Sequence, residues 1–541
     1  VSLLPGWWVR WLVRWVALGA LSLASLGLAA CGQQEAPQAT NAAPVASDAT
    51  FTILAGSELK DIEGPIVDAA KAAGVDVKFT YAGTLDIVER INAGERFDAI
   101  LPPNGAYPAL ALQAKPVARD KLFYSRIALG VKRAKAEQLG WTKRPPGWAE
   151  IAKAAGDGQL RYGMTNATSS NTGMSALFAV ASALAGKTED LAVQDVDEKT
   201  LKAFLSGQKL TAGSSGWLAD AYVKDPSAID AMVNYEAVIL RANDRLAKAD
   251  QLMLVYPRDG MISADYPLML LNAGKREAYT QLVTTLKAAP FQRDALAAAF
   301  LRPANPEVAA ASALPTAAAV ELGFPNRLEV IDAVLGTYQS QWRKPATSIF
   351  VLDLSGSMSG QRLASMREAL KLLSGADTGT ATTGTTASTR YSAFQSRERV
   401  VLITFATQVQ APVWVRFDAD QLDTARAELR RQADAMKADG GTAIYSALAA
   451  AEDLARKEQQ LDPGRLVSIV LLTDGENNSG LKPREFSERF AGGLPARIFP
   501  ILFGEANVAE MQQIAQASGG REFDGRKLQL GQVFKEIRGY Q

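Results

Sequence analysis

The chain has 541 residues, too many for one ordinary hydrophobic core, so more than one domain is expected. Hydrophobic residues make up 48% and charged residues 21%, the balance of a globular rather than a disordered protein. Against 57 Asp and Glu stand 58 Lys and Arg, so no global field draws the chain to nucleic acid, and any charge-dependent function is local. The absence of histidine excludes Ser-His-Asp triads, Cys-His pairs, His-ligated zinc and imidazole bases. A single cysteine, Cys31, excludes an intramolecular disulfide and a thiolate cluster. Chemistry by carboxylate, lysine or metal-bound water stays open.

Arg10 and Arg14 precede an uncharged run from Trp15 to Ala30, which has the basic flank, apolar centre and small-residue end of an export signal. The run is short for a bilayer span of about 20 residues. It ends in Leu28-Ala29-Ala30-Cys31, which resembles the lipobox of bacterial lipoproteins. That resemblance implies a signal segment over 1–31, lipidation of Cys31 and a membrane anchor worth about 0.8 kcal/mol per buried methylene. Residues 32–50, rich in Ala, Pro, Gln, Ser and Thr, read as a flexible tether.

From Phe51 the pattern alternates strand and helix: FTILAGSEL, VDVKFTYAGT and FDAIL each lead toward a helical stretch, the order of an α/β fold with parallel strands. A second set starts with FYSRIALGVKR and RYGMTN, then ATSSNTG before an apolar helix from Met174, and continues through AMVNYEAVIL, LMLVYPRDG and ISADYPLMLL. Small polar residues cap the helices at Ser57, at Gly83-Thr84 and at Ser169, Ser170, Asn171 and Thr172. Such turns present N–H groups and hydroxyls at positive helix ends, a recipe for a small polar or anionic solute. No arginine stands in these loops to clamp a carboxylate or phosphate. Over residues 51–305 the order resembles type II periplasmic solute-binding proteins. The resemblance implies two lobes closing on a ligand: Ser57, Gly83 and Thr84 belong to lobe one and Ser169, Ser170, Asn171, Thr172 and Tyr235 to lobe two, with crossings near Lys121 and Tyr256.

A connector over 306–345, rich in Ala and Pro, ends in a helix from Leu328 to Trp342. Strand and helix then alternate to the end of the chain, over 346–541. Near-continuous apolar runs such as SIFVLDL and SIVLLTD indicate a sheet buried on both faces. Three polar clusters interrupt it at strand ends or helix starts: Asp353-Leu-Ser355-Gly-Ser357, Thr442, and Asp474-Gly475. Hydroxyls and carboxylates are hard ligands, suited to Mg²⁺, Mn²⁺ or Ca²⁺. The five positions resemble the metal-ion-dependent adhesion site of von Willebrand factor A domains, which implies a doubly wound, Rossmann-like fold and a protein partner that presents an acidic residue to the metal. Ligands of such sheets sit at the strands' carboxyl ends, so the solute-binding half should attach on the opposite side, together with the insert from Asp377 to Ser396.

The expected protein is an α/β, two-module binding protein of the cell envelope, lipid-anchored and facing the periplasm or exterior, and not an enzyme. Two rivals are a structural adhesin whose first module is ligand-free and a metal-assisted hydrolase. The missing histidines and the absence of a third acidic ligand in the motif count against the latter.

Overall fold

The computed structural model describes residues 50–316, 318–375 and 391–540. The expected signal segment, Cys31, tether residues 32–49 and residues 377–390 of the insert lie outside the described residues. Among the described residues no helix is long and apolar enough to cross a membrane.

Lobe one opens with β1 (Thr50–Gly56), β2 (Asp76–Ala82), β3 (Ala99–Leu101) and β4 (Ala118–Lys121). Lobe two contains β5 (Phe123–Lys132), β6 (Tyr162–Thr165), β7 (Gln208–Ala212), β8 (Ala231–Tyr235), β9 (Leu252–Val255) and β10 (Ser263–Ala264). The chain then returns through β11 (Pro267–Leu270) to lobe one, and β12 (Arg302–Pro303) closes on β5. Lobe one has the order β2-β1-β3-β11-β4, and lobe two runs β10-β5-β8-β6-β7, with β9 also pairing β5. β1 lies parallel to β2 and β3, as expected from its apolar run.

The sheets are mixed rather than wholly parallel: β11 runs antiparallel to β3 and β4, and β5 antiparallel to β8. The physical reason is the second crossing, because a strand arriving from lobe two enters lobe one from the other end. The first crossing falls at Leu122, beside the expected Lys121. The second lies at Asp265-Tyr266, not at Tyr256, since β10 keeps the chain on β5 for another pairing before it leaves. Tyr266 takes a positive φ of 33°, a costly conformation for a bulky residue, held by a fully buried ring 5.0 Å from that of Phe123.

One continuous core joins both lobes to the segment after them, through residues such as Phe178, Phe324, Val334 and Leu335. Residues 306–345 are therefore docked: the Phe324 ring sits 5.0 Å from Phe178, and Asn326 N–H donates to the Glu189 carbonyl.

The last domain is built on β13 (Ala346–Asp353), β14 (Glu398–Phe405), β15 (Val413–Phe417), β16 (Leu466–Thr473), β17 (Arg497–Leu502) and β18 (Phe523–Asp524), in the order β15-β14-β13-β16-β17-β18. All pairs are parallel except β14 with β15. Alternate residues of β13 enter opposite cores: Phe350 and Leu352 meet the helices Gln361–Leu373, Leu422–Ala435 and Leu530–Arg538, while Ile349 and Val351 meet Ile444–Leu461 and Val508–Ser518. Burial on both faces explains why this strand reads as an unbroken apolar run.

Glu452, on the helix Ile444–Leu461, is fully buried, and its carboxylate accepts from Ala496 N–H. Burial pushes its carboxyl up from 4.5 to about 8. A raised acid stabilises the fold below its unfolded value, and that contribution is lost as pH rises through the folded one. The Glu452→Gln protein should therefore lose less stability than wild type between pH 4.5 and about 8, as read by urea unfolding at several pH values. Parallel curves would reject the assignment.

Lobe two packs against the far end of the last sheet. Lys344, just before β13, donates to the Gln208 carbonyl, and Lys224 donates to that of Gln516, near the end of the helix Val508–Ser518. Trp217 meets Tyr540 edge-on at 4.9 Å, with the Arg497 guanidinium 5.6 Å from its ring. Lys344 and Arg497 flank strand beginnings, so these contacts lie away from Asp353 and Asp474 at the carboxyl ends of β13 and β16, whereas Leu502 and Asp524, at the ends of β17 and β18, face the solute-binding half.

Candidate metal centre and solute chamber

Asp353 is the last residue of β13, and Asp474 follows the last residue of β16, its parallel neighbour. Parallel pairing brings both carboxylates to one end of the sheet, where they are 0% and 1% exposed. Asp353 Oδ1 accepts from Ser355 N–H at 2.8 Å and Oδ2 from Thr473 Oγ1 at 2.6 Å. Ser355 Oγ lies 3.0 Å from Ser357 Oγ, which donates to Asp474 Oδ1 at 2.7 Å.

Thr442 comes from the loop before Ile444–Leu461. Its N–H donates to Asn478 Oδ1 at 2.8 Å, and Asn478 N–H returns to the Thr442 carbonyl at 2.9 Å. A Cβ on Gly475 would stand 3.9 Å from both Ser357 Oγ and Thr442 Oγ1, which places both hydroxyls beside Gly475. Gly440 makes the loop possible: its φ is +85°, and a Cβ there would lie 2.9 Å from Thr407 Oγ1. All five expected positions thus meet at the strands' carboxyl ends.

The donor set suits a hard dication. Burial raises the Asp353 carboxyl, and the Asp474 charge adds to this, while hydrogen bonds from Thr473 and Ser355 partly oppose it. A cation shared by the two carboxylates would relieve that cost, and the three hydroxyls complete an oxygen shell. Among the described residues no group of three or more His, Cys, Asp or Glu is placed to hold a metal; the set at this sheet end has two carboxylates, and its other oxygens are hydroxyls.

The sequence reading did not single out Arg362, whose guanidinium donates to Asp474 Oδ2 from the first turn of Gln361–Leu373. It competes with any dication for that carboxylate. Arg362→Ala should tighten Mg²⁺ or Mn²⁺ binding by about 2- to 5-fold in calorimetric titration, the scale of a partly exposed ion pair. Weaker binding would show instead that Arg362 holds Asp474 in position.

The described end of the insert, Tyr391 to Ser396, leads into the start of β14, at the opposite end of the sheet from Asp353: Tyr391 and Ser392 are helical, Tyr391 and Phe394 are buried, and Gln339 donates to the Tyr391 carbonyl. Deleting residues 377–390 alone should leave metal affinity unchanged. A tenfold loss by calorimetry would argue against this topology.

In the first domain a chamber of about 780 Å³ lies between the lobes and is bounded on its third side by the last domain. Ser57, Gly83, Thr84, Ser169, Ser170 and Asn171 line it. A Cβ on Gly83 would overlap the Ser169 carbonyl, so the two lobes touch there and only glycine fits. Thr84 begins the helix Thr84–Asn92, and Asn171 begins Asn171–Ala185. Thr84 Oγ1 and Asn171 Oδ1 are buried without a hydrogen-bond partner, while Asn171 Nδ2 donates to Tyr235 Oη at 3.0 Å.

Two expected residues stand apart. Thr172 is fully buried and its Oγ1 lies 2.7 Å from Thr165 Oγ1, so it braces the loop instead of lining the chamber. Tyr235 lies behind Asn171, lining a smaller cavity with Glu58, Arg241 and Tyr266. Burial raises the Glu58 carboxyl to about 7. Sequence reasoning missed Ser214, which lines the chamber and caps Ser215–Lys224 by accepting from Trp217 N–H at 3.4 Å. The run TAGSSGW repeats the small-hydroxyl pattern of ATSSNTG and carried that signal.

A two-lobed domain with helix starts facing a cleft, followed by a doubly wound domain with a DxSxS set, defines a class of two-module binding protein. Residues 51–302 match the family model of the bacterial extracellular solute-binding protein, and residues 349–535 that of the von Willebrand factor type A domain. The chain is thus a bacterial solute-binding domain joined to a von Willebrand factor type A (VWA) domain.

It is 29% identical over 208 residues to inter-alpha-trypsin inhibitor heavy chain H4 of Homo sapiens, covering 36% of this chain and 20% of that protein. The Sus scrofa protein is 28% identical over 205 residues, with the same shares. The chain therefore spans about a fifth of the length of these curated relatives. Among solved structures, the ferric binding protein from Campylobacter jejuni shares 14% identity at a TM-score of 0.44, covering 53% of this chain and 98% of that one. A von Willebrand factor type A protein from Catenulispora acidiphila shares 19% at a TM-score of 0.28, covering 36% and 42%.

Proposed function

We propose that this protein is a lipid-anchored, extracytoplasmic binding protein that captures a small polar or anionic solute in its first module. Its VWA module docks a protein partner through a divalent cation. The observation that carries the second half is the convergence of Asp353, Ser355, Ser357, Thr442 and Asp474 at one end of a parallel sheet. These side chains would hold Mg²⁺, Mn²⁺ or Ca²⁺, and the bound ion would supply an electrophilic point for an acidic side chain of the partner. With two carboxylates against a dication, charge is left for that ligand. This is a docking role, not a catalytic one. The extracellular description of the matched solute-binding family supports an envelope location, and the sequence Leu28 to Cys31 supports the anchor.

The test is a pull-down from envelope extract with the full chain, in Mg²⁺ or in chelator, beside a thermal-shift screen against oxyanions, sugars and amino acids. Metal-dependent capture that is lost in chelator is expected. Capture indifferent to chelator would reject metal-bridged docking, and no shift with any solute would favour a purely adhesive protein.

A further inference from the structure

The solute loops hold no arginine, but four line the chamber, and Arg90, Arg526 and Arg538 are each held by a carboxylate, of Glu95, Asp524 and Glu398, which leaves Arg521. Arg521 lines the chamber, although it belongs to the VWA module. Its Nη1 donates to Tyr540 Oη at 2.6 Å, and the Tyr540 ring packs on Gly213, beside Ser214, the cap of Ser215–Lys224. The two modules are pressed together at this point. A Cβ on Gly539 would lie 2.8 Å from Ser169 Oγ and 2.9 Å from the Gly213 Cα. On the other lobe Lys535, from the same C-terminal helix, stands 3.5 Å from Glu89. The helix Leu530–Arg538 therefore touches both lobes.

We propose that the solute site is composite: the two lobes supply hydroxyls and helix starts, and Arg521 of the VWA module supplies the cationic clamp for an oxyanion. The inference rests on the solute-binding reading above. Three features support it. The starts of Asn171–Ala185 and Ser215–Lys224 face the chamber and favour negative charge. Thr84 Oγ1, on a residue 1% exposed, lines the same space with no partner, and a buried hydroxyl left unpaired is costly unless an acceptor on a ligand or a water meets it. Arg521 is only part-exposed; its guanidinium lies 5.0 Å over the Phe523 ring and 5.9 Å over that of Tyr540, and its polar contacts are Tyr540 Oη and, at 3.6 Å, Glu536, which leaves donors of its planar fork for a ligand. A volume of about 780 Å³ admits a small solute bearing an oxyanion group. Solute capture then depends on the VWA module being seated, which neither half of the sequence discloses.

The experiment titrates the full chain with inorganic phosphate and with sulfate by calorimetry, comparing wild type, Arg521→Gln, Arg521→Lys and Tyr540→Phe, with thermal melts to confirm folding. Tyr540→Phe removes only the hydroxyl that accepts from Arg521, so it serves if the arginine variants fail to fold. Wild type is expected to bind at least one oxyanion, Arg521→Gln at least tenfold more weakly, Arg521→Lys between them, and Tyr540→Phe several-fold more weakly. Equal affinity in wild type and all folded variants overturns the composite site and leaves the solute-binding reading intact. No oxyanion binding by wild type overturns the proposed ligand class, and the sugar and amino-acid arms of the thermal screen then decide whether the chamber binds any solute.

Discussion

Asp353→Ala is expected to abolish divalent-metal binding, with a loss of about 100-fold or more in calorimetric Mg²⁺ or Mn²⁺ titration. Changes to groups that merely orient metal ligands already cost about 10- to 100-fold. Asp353 is one of only two carboxylates in the set, and its second oxygen is fixed by Thr473 at 2.6 Å. Its neighbour cannot compensate, because Asp474 is engaged by Ser357 and Arg362. The variant should still fold: the removed group is a buried charge that burial itself disfavours, and the apolar faces of β13 are untouched. Thr442→Ala, which deletes one hydroxyl, should have a smaller effect. Unchanged affinity in a folded Asp353→Ala protein would place the metal elsewhere and remove the basis for metal-bridged docking.

The second large effect concerns stability. Glu398 opens β14, is 3% exposed, and accepts from Arg538 Nη2 at 2.9 and 2.8 Å, from Arg343, and from Gln395 N–H at 2.7 Å. Both arginines are themselves buried, and Arg538 also lies 4.4 Å over the Phe394 ring. Glu398→Ala would leave two guanidiniums facing each other away from water, a situation that costs about 3–5 kcal/mol when one partner of a buried pair is lost. Urea unfolding should show that drop, and a loss below about 1 kcal/mol would mean that water enters the site freely.

The same residue sets an acid dependence. Burial alone would raise the Glu398 carboxyl, but Arg538 and Arg343 hold it below 4.5. A depressed acid contributes fully above its unfolded value, and the contribution is lost as pH falls through the folded one. Wild type should therefore lose stability below pH 4.5 in part through Glu398, and Glu398→Ala should show a flatter acid limb.

Because Arg343 precedes β13 and Arg538 ends the last helix, this one carboxylate ties both ends of the VWA module. Lys344, the neighbour of Arg343, and Tyr540, two residues past Arg538, both reach lobe two. Weakening the Glu398 site should loosen that contact as well as the module.

Much of the candidate metal site was legible because its side chains sit where periodic patterns stop. An apolar strand that ends in DLSGS or in TDG announces both its own termination and the chemistry at its tip, and parallel pairing of neighbouring strands does the rest. Arg362 escaped notice because a single arginine early in a helix has no distinguishing pattern. In the solute module the helix starts were readable one at a time, but their expected side-chain caps do not form: the N-cap positions Gly56, Gly83 and Ser170 make no side-chain capping bond. The return through β10 and β11 was not readable, since pairing partners are not encoded in a short apolar run, and the crossing moved from Tyr256 to Tyr266 accordingly. Thr172 reads like its neighbours Ser169 and Ser170, and only packing turns its hydroxyl toward Thr165.

By itself the sequence determined the two modules, their order, and which oxygen-bearing side chains stand at the strand ends, because local periodicity and motif spacing are properties of contiguous residues. Only the tertiary structure decided that the modules share a wall. Lys344 meets Gln208, Trp217 meets Tyr540, and Arg521 enters the chamber beside Ser214. Those encounters join residues more than 100 positions apart, through shape and burial that no local pattern records.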